Sequence, residues 1–294
     1  MEGIAMELLS LRYFQTVARL ENMTRAAETL QVSQPALSKM IGNLEKELTI
    51  KLFDRTGKYI RLNEYGRRFL AKVDLALQTL DDGKTELHDM AERPSGTVVI
   101  YIQVGSYLLP DMITSFRKLY PEAEFKLLQH DQNLRESPAY DLCLSSSPFR
   151  MPGNESIALI TEEIMLAVPS DHRLAHRKSI RLSELAEDGF ISLKRGKQLR
   201  EMTDSLCLAA GFTPRIIYEC DEPSMVRSLV HSGLGVSFIP SITWGGSQGS
   251  SSVLIPIEEP VSTRTIEITW YTNRYMTQVA KKFKEFVQVY FKQL

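Results

Sequence analysis

Gln34, Pro35, Ser38, Lys39 and Asn43 fall on one side of a candidate helix, and their side chains suit contact with base edges. Glutamine can bind adenine bidentately, serine can serve several bases, lysine can reach guanine, and a proline ring can lie on a thymine methyl. The residue types that would point to catalysis or metal binding are poorly arranged by comparison. Among five histidines, His172 and His176 stand four apart, yet no HExxH pattern or third ligand accompanies them, so surface or capping roles are expected. Cys143, Cys207 and Cys220 are far apart and odd in number, without ligand spacing, and read as buried thiols in a reducing compartment. GxSxG, GxxxxGK[ST] and GxGxxG patterns are all missing, and GLG at 233–235 reads as a tight turn into a strand. No catalytic residue, metal or cofactor is assigned, and an enzyme is not expected.

The elements around the polar face explain how it is held. Ser33 can cap the helix, and Pro35 sits in its first turn, where a missing N–H leaves no bond unmade. Leu37, Ile41, Leu44 and Leu48 follow on a single face that must be buried. Asn22 can cap a shorter helix containing Ala26, Ala27 and Leu30, with Gln31-Val32 as the turn between the two. Downstream, strand-like runs at Ile50–Phe53 and Tyr59–Leu62 are joined by Arg55-Thr56-Gly57-Lys58, which reads as a wing. Arg55 and Lys58 would lie beside the backbone or minor groove of a duplex, and Phe53 is assigned to the core. Residues 33–68 carry eight Lys or Arg against four acids, a local excess of +4 in a chain of net charge −1. Such an excess fits a surface for a polyanion.

These residues spell a resemblance. AAETLQVSQPALSKMIGNLEKEL followed by LFDRTGKYIRLNEYG resembles the N-terminal winged helix-turn-helix of the LysR-type transcriptional regulators. Ala26, Ala27, Leu30, Ser33, Gln34, Pro35, Ala36, Ser38, Ile41, Leu44, Glu45, Leu52, Phe53 and Arg55 fill the family's places, and Lys39 stands where arginine is common. Two positions depart: Thr49 replaces the usual glycine, and Asn63 replaces a threonine before Glu64 and Gly66, keeping a side chain able to cap.

From Glu64 to about Met90 the chain has no proline, and Tyr65, Phe69, Val73, Ala76, Leu80, Gly83 and Leu87 recur as a narrow seam suited to a helix partner. About 27 residues at ~1.5 Å each make a rod of roughly 40 Å, more than a small domain covers. The resemblance implies that this helix is the dimerisation element, pairing antiparallel, and that four subunits are the usual assembly. A hinge is expected at Ala91–Ser95, where proline and glycine stop the helix.

Beyond the hinge, apolar runs alternate with helical patterns: strands at 98–104, 124–129, 140–145, 164–169, 188–193, 215–220, 235–240 and 265–271, with helices after Leu108, around Glu201–Ala210, at Ser224–His231 and after Thr277. Two α/β lobes are expected, the terminal segment crossing back to the first. LLP at 108–110, HRLA at 172–175, Ala210-Gly211-Phe212 and GLGVSFIP at 233–240 resemble the family's effector-binding half. The fold class is thus α/β overall: an N-terminal winged helix-turn-helix (1–63), a linker helix (64–90), a hinge (91–95) and a two-lobed domain like periplasmic binding proteins (96–294). Lobe one takes about 96–164 and 268–294, lobe two about 165–267.

A ligand between such lobes sits against strand ends and helix N-termini, which favour an anion. Gln103, Gly105, Ser106, Ser145, Ser146, Ser192 and Lys194 fall at such strand ends and are the candidates for holding a small metabolite bearing a carboxylate. Helix caps and loop ties are the alternative for the serines and the glutamine. Arg195-Gly196-Lys197 suits either a positive rim or a solvated turn, and Asp141 a strand or turn role. The segment from Gly96 to Leu108 is about two residues shorter than the resemblance implies, which would narrow the first lobe's share of the pocket. WGGSQGSSS at 244–252 reads as a surface loop.

The combined reading is a sequence-specific DNA-binding regulator that responds to a small-molecule effector. A regulator whose cleft takes no ligand, and an enzyme fused to a DNA-binding head, are the alternatives. Expected partners are double-stranded DNA, a small-molecule effector, further copies of the chain in a homodimer or homotetramer, and RNA polymerase. No window reaches ~18 apolar residues and the amino terminus lacks a basic segment before a long apolar run, so a soluble cytoplasmic chain without membrane contact is expected.

Overall fold

In a computed structural model, residues 6–56, 59–89, 96–129, 140–147, 154–245 and 252–294 are described. Contacts divide the chain into two compact units, Met1–Ala91 and Glu92–Leu294. No helix among the described residues is long and apolar enough to cross a membrane.

The first unit comprises α1 (Leu8–Leu20), α2 (Met23–Thr29), α3 (Gln34–Glu47), β1 (Phe53–Thr56), β2 (Tyr59–Leu62) and α4 (Glu64–Asp89). Its core gathers Phe14 and Val17 of α1, Ala26 and Ala27 of α2, and Leu37, Ile41 and Leu44 of α3. Phe53 is buried with them, edge-on to Phe14 at 5.6 Å between ring centroids. The caps follow the residue types. The Asn22 side chain accepts from the Arg25 amide, Ser33 from Ala36, and Asn63 from Gly66. Strands β1 and β2 pair antiparallel, with Thr56 opposite Tyr59.

All three short helices end on a non-glycine residue with positive φ: Glu21, Gln31 and Thr49. At the end of α3 the Thr49 amide donates to Lys46 and the Ile50 amide to Glu45, the paired bonds of a Schellman turn. At the end of α2, Gln31 and Val32 make the same pair with Glu28 and Ala27, and this turn sets α2 against α3. Thr49 has φ 55°, where a β-branched side chain is strained by ~1–2 kcal/mol. Thr49→Gly should therefore raise the stability of this unit by about 1 kcal/mol, part of the relief being lost to glycine's greater freedom when unfolded. Denaturant melts followed by circular dichroism check this; a destabilised variant would mean that the Thr49 hydroxyl bond to the Leu48 carbonyl outweighs the strain.

The seam expected along α4 is divided between two tasks. Val73, 2% exposed, joins the head's core with Leu77, and Phe69 lies half-buried against Phe14 at 5.2 Å. Tyr65, Ala76, Leu80 and Leu87 remain exposed, Leu80 at 55% and Leu87 at 72%. A stripe of regular spacing is equally able to face its own domain, and the head's core claims Phe69 and Val73 in place of a partner helix. Arg12–Asp81 and Arg19–Asp74, each at 3.0 Å, tie α1 to the same helix. The expected hinge at 91–95 lies outside the described residues.

The second unit runs β3 (Gly96–Ile102), α5 (Leu109–Leu119), β4 (Ala123–Leu128), β5 (Leu142–Ser146), β6 (Asn154–Pro169), β7 (Ile180–Arg181), one 3-10 turn, β8 (Gly189–Leu193), α6 (Gln198–Ala209), β9 (Arg215–Cys220), α7 (Pro223–His231), β10 (Ser237–Pro240), β11 (Ser252–Ile255), β12 (Ile257–Glu259), β13 (Thr263–Tyr271) and α8 (Gln278–Phe291). One sheet has the order β10-β6-β13-β5-β3-β4, with β11 also on β6. β3 runs parallel to β4 and β5, whereas β13 is antiparallel to both β5 and β6. Two cores lie along it. One centres on Phe116, Leu142, Ile268 and Phe283, the other on Leu166, Phe190, Val230 and Ile255.

β6 is 16 residues long and links the two cores: residues 154–163 run along β13 with a bulge at Leu159, and Ile164–Ala167 pair with β10. The passage between lobes therefore falls inside a strand rather than between elements. Asp141 anchors a strand start, its carboxylate accepting from the Val99 amide. Trp244, expected in a loop, is buried in the second core; 246–251 lie outside the described residues. The three cysteines are free and buried, and burial pushes the Cys143 and Cys207 thiols up to about 12. His172 caps its own turn, bridging Asp188 and the Leu174 amide.

Candidate DNA-binding surface and effector cleft

On α3, burial of Leu37, Ile41 and Leu44 turns Gln34, Pro35, Lys39 and Asn43 out to solvent, with Ser38 half-exposed beside them. Ser33, also exposed, holds the start of the helix through its bond to Ala36. Arg55 lies on β1 opposite Ile60. Its side chain, and Lys58 altogether, lie outside the described residues. Glu64, one of the four acids among residues 33–68, pairs with Arg68 at 3.0 Å and approaches Arg67 at 3.7 Å.

One residue that supports this surface was legible only as part of a motif. Glu45 is 2% exposed, and its Oε1 accepts from the amides of Leu52 at 3.0 Å and Phe53 at 3.3 Å, while Oε2 meets Lys51 Nζ at 2.8 Å. It fastens the end of the exposed helix to the first strand of the wing. Glu21 does the same for the second strand, accepting from the Leu62 amide at 2.9 Å. An acid adjoining the apolar stripe of a helix is the sequence signal for such a tie.

In the second unit a cleft of about 80 Å³ opens where the strand ends of the first lobe meet the N-termini of α6 and α7. Gln103, Gly105 and Ser106 line it, although the segment carrying them is short. Ser146, buried at the end of β5, reaches it through its hydroxyl, which donates to Gln198 Oε1 at 3.1 Å. The other three candidates stand elsewhere. Ser145 shares a strand face with Cys143, because alternate side chains point to opposite sides. Ser192 borders a separate void of about 10 Å³ inside the second lobe with Arg200 and Thr203. Lys194 is exposed and ion-paired with Asp221, which raises its pKa.

Residues outside the expected set complete the wall. α6 begins at Gln198 rather than near Glu201, which brings Lys197 and Gln198 into the cleft. Burial pulls the Lys197 pKa down, and Glu222 acts against that. Arg264 lines the cleft from β13 while its Nε binds Glu162 Oε1 at 2.8 Å and its Nη2 binds the Thr243 hydroxyl at 2.8 Å. Glu162 also accepts from the amides of Ile242 and Thr243, at 2.9 and 2.8 Å, and from the Thr243 hydroxyl at 2.7 Å. Three segments that pass beside the cleft are thereby joined at one buried carboxylate. At its far side Arg227 of α7 lies 5.5 Å from the Tyr107 ring centroid and donates to the Trp244 carbonyl.

Comparison with known proteins gives the same partition. Residues 8–67 match the family model of bacterial regulatory helix-turn-helix proteins of the lysR family, and residues 91–292 match the LysR substrate binding domain. The chain is 38% identical to YybE of Bacillus subtilis, described as an uncharacterized HTH-type transcriptional regulator, over 97% of this chain and 99% of the relative. It is 36% identical to the transcriptional dual regulator GltC of the same organism, over 98% and 99%. The solved structure of full-length CbnR complexed with its target DNA has the same fold, with a TM-score of 0.66 at 22% identity over 97% of this chain and 99% of that one. HinK from Pseudomonas aeruginosa, described as a LysR family transcriptional regulator, gives 0.60 at 23% over 99% and 100%.

Proposed function

Because the chain belongs to the LysR-type family of sequence-specific DNA-binding regulators with an effector-binding α/β domain, we propose that it reads DNA with the exposed side of α3 and tunes that contact by filling the cleft between its lobes. The observation that carries the reading is the division of α3: Leu37, Ile41 and Leu44 are wholly buried, and Gln34, Pro35, Lys39 and Asn43 are left free to enter a major groove. The wing cations Arg55 and Lys58 add phosphate or minor-groove attraction, which strengthens binding without reading sequence.

The functional molecule is a dimer or a pair of dimers. Exposed Leu80 and Leu87, with Tyr65 and Ala76, supply an apolar strip for a partner helix. Two heads joined in this way read a symmetric or nearly symmetric site. The effector is a small carboxylate, supported by the half-buried Lys197 and by the helix starts at the cleft. Its binding shifts the balance between two lobe arrangements, and the helices that carry the heads convert that into a new spacing on DNA. Contact with RNA polymerase would follow from where the operator places the assembly.

Selection of bound DNA fragments with and without a metabolite library tests the whole reading. Enrichment of one partly symmetric site, altered by a cleft ligand, is expected; uniform, salt-labile attraction to every fragment would overturn it. A pair of substitutions separates the two DNA-contact roles. Gln34→Ala should weaken cognate binding by roughly 1 to 3 kcal/mol and relax sequence preference. Arg55→Ala should weaken binding to all sequences and reduce the log-log salt slope by about 1. Equal losses of specificity from both would contradict the assignment.

A further inference from the structure

Resting on the cleft reading above, we propose that Gln198 is a built-in stand-in for the effector: its carboxamide occupies the place of the ligand's polar head group and holds the lobes together until a ligand evicts it. Gln198 opens α6 in the second lobe, and both its partners belong to the first. Its Nε2 donates to Gln103 Oε1 at 2.8 Å, and its Oε1 accepts from Ser146 Oγ at 3.1 Å. Gln103 follows β3 and Ser146 ends β5, so the first lobe presents one acceptor and one donor at a single spot. A primary amide is the group that satisfies both at once.

The size of the cleft supports the same conclusion. Its volume of about 80 Å³ lies below the ~300 Å³ at which ligand pockets ordinarily begin. A metabolite must therefore displace a side chain, part the lobes, or do both. Gln198 is the group on the second-lobe wall that is bonded to the two first-lobe partners, so it is the one whose departure frees them. The freed pair also defines what can replace it. A carboxamide fits Gln103 and Ser146 as they stand; a carboxylate, which only accepts, fits once the Gln103 amide turns over and offers its NH₂. The class of ligand head group is thus a small planar amide or carboxylate, and Gln198 sets how strongly it must bind to open the site, since a ligand that competes with an internal group has its apparent affinity reduced by that group's occupancy.

The test uses the full-length protein, with acetamide and acetate as fragments of the amide and carboxylate classes and tryptophan fluorescence as readout, since Trp244 lines the cleft. Gln198→Ala should lower the thermal midpoint of the effector domain. Acetamide or acetate should then raise that midpoint saturably in the variant and leave wild type unmoved; whichever does so assigns the head group as an amide or a carboxylate. Gln198→Glu, which keeps the size of the side chain and can still accept from Ser146, should show no rescue by either fragment, and adding Ser146→Ala to Gln198→Ala should abolish it. Identical responses of wild type and Gln198→Ala to both fragments would overturn the proposal. If the rescue occurs and no metabolite alters DNA binding, the effector reading fails alone; if a metabolite alters DNA binding and no rescue occurs, Gln198 is only a lobe contact.

Discussion

Glutamine in place of Glu162 should cost the effector domain about 3 to 5 kcal/mol of stability, the largest effect expected of any single change described above. The Glu162 side chain has no exposure and that of Arg264 only 2%. Burial draws the Arg264 pKa down, and Glu162 is what opposes this. The neutral amide removes that opposition and turns an NH₂ toward groups that are themselves donors: the amides of Ile242 and Thr243, or the guanidinium. Both tryptophans, Trp244 and Trp270, lie in the second unit, so fluorescence in a urea series reports this domain and not the head. Replacing the pair together, Glu162→Leu with Arg264→Met, should recover only the part of the loss that comes from the buried charge, because the Ile242 and Thr243 amides still lack their acceptor. A loss below about 1 kcal/mol for Glu162→Gln would mean that water reaches the pair and that this junction does not hold the crossing segments.

Glu45→Ala should destabilise the head by about 2 to 4 kcal/mol, because the buried amides of Leu52 and Phe53 lose their acceptor. Glu45→Gln should cost less than about 1 kcal/mol. Both amides bind the same oxygen, which the carboxamide retains, and only the pairing with the exposed Lys51 is lost. Circular dichroism should show an early transition for the alanine variant while the tryptophan transition stays where it was. Operator affinity should fall with the alanine variant at temperatures where the wing loosens and hold with the glutamine variant. Equal effects of the two substitutions would rule out the amide contacts as the reason this carboxylate is buried.

The contrast between these two carboxylates separates what was legible from what was not. The head was legible because its devices are local. Asn22, Ser33 and Asn63 each cap an amide three residues ahead, and Leu37, Ile41 and Leu44 follow the helical period. Once that stripe had to be buried, the exposure of Gln34, Lys39 and Asn43 followed from geometry alone. The first ten residues of β6 are less legible, because Asn154, Glu155, Glu162 and Glu163 at the two ends are poor strand formers whose preference the pairing with β13 overrides.

The sequence by itself determined α3 with its exposed polar side, most strands of the lobes and the general position of the cleft, since periodicity and capping act over a few residues. Only the tertiary structure decided that Phe69 and Val73 serve the head, that Ser146 meets Gln198 while Ser145 points to the other face of β5, and that Gln198 joins Gln103 across 95 positions of chain. A side chain's type and spacing state what it can bond to. Which distant surface arrives to accept the bond depends on how whole elements pack, and no run of neighbouring residues carries that information.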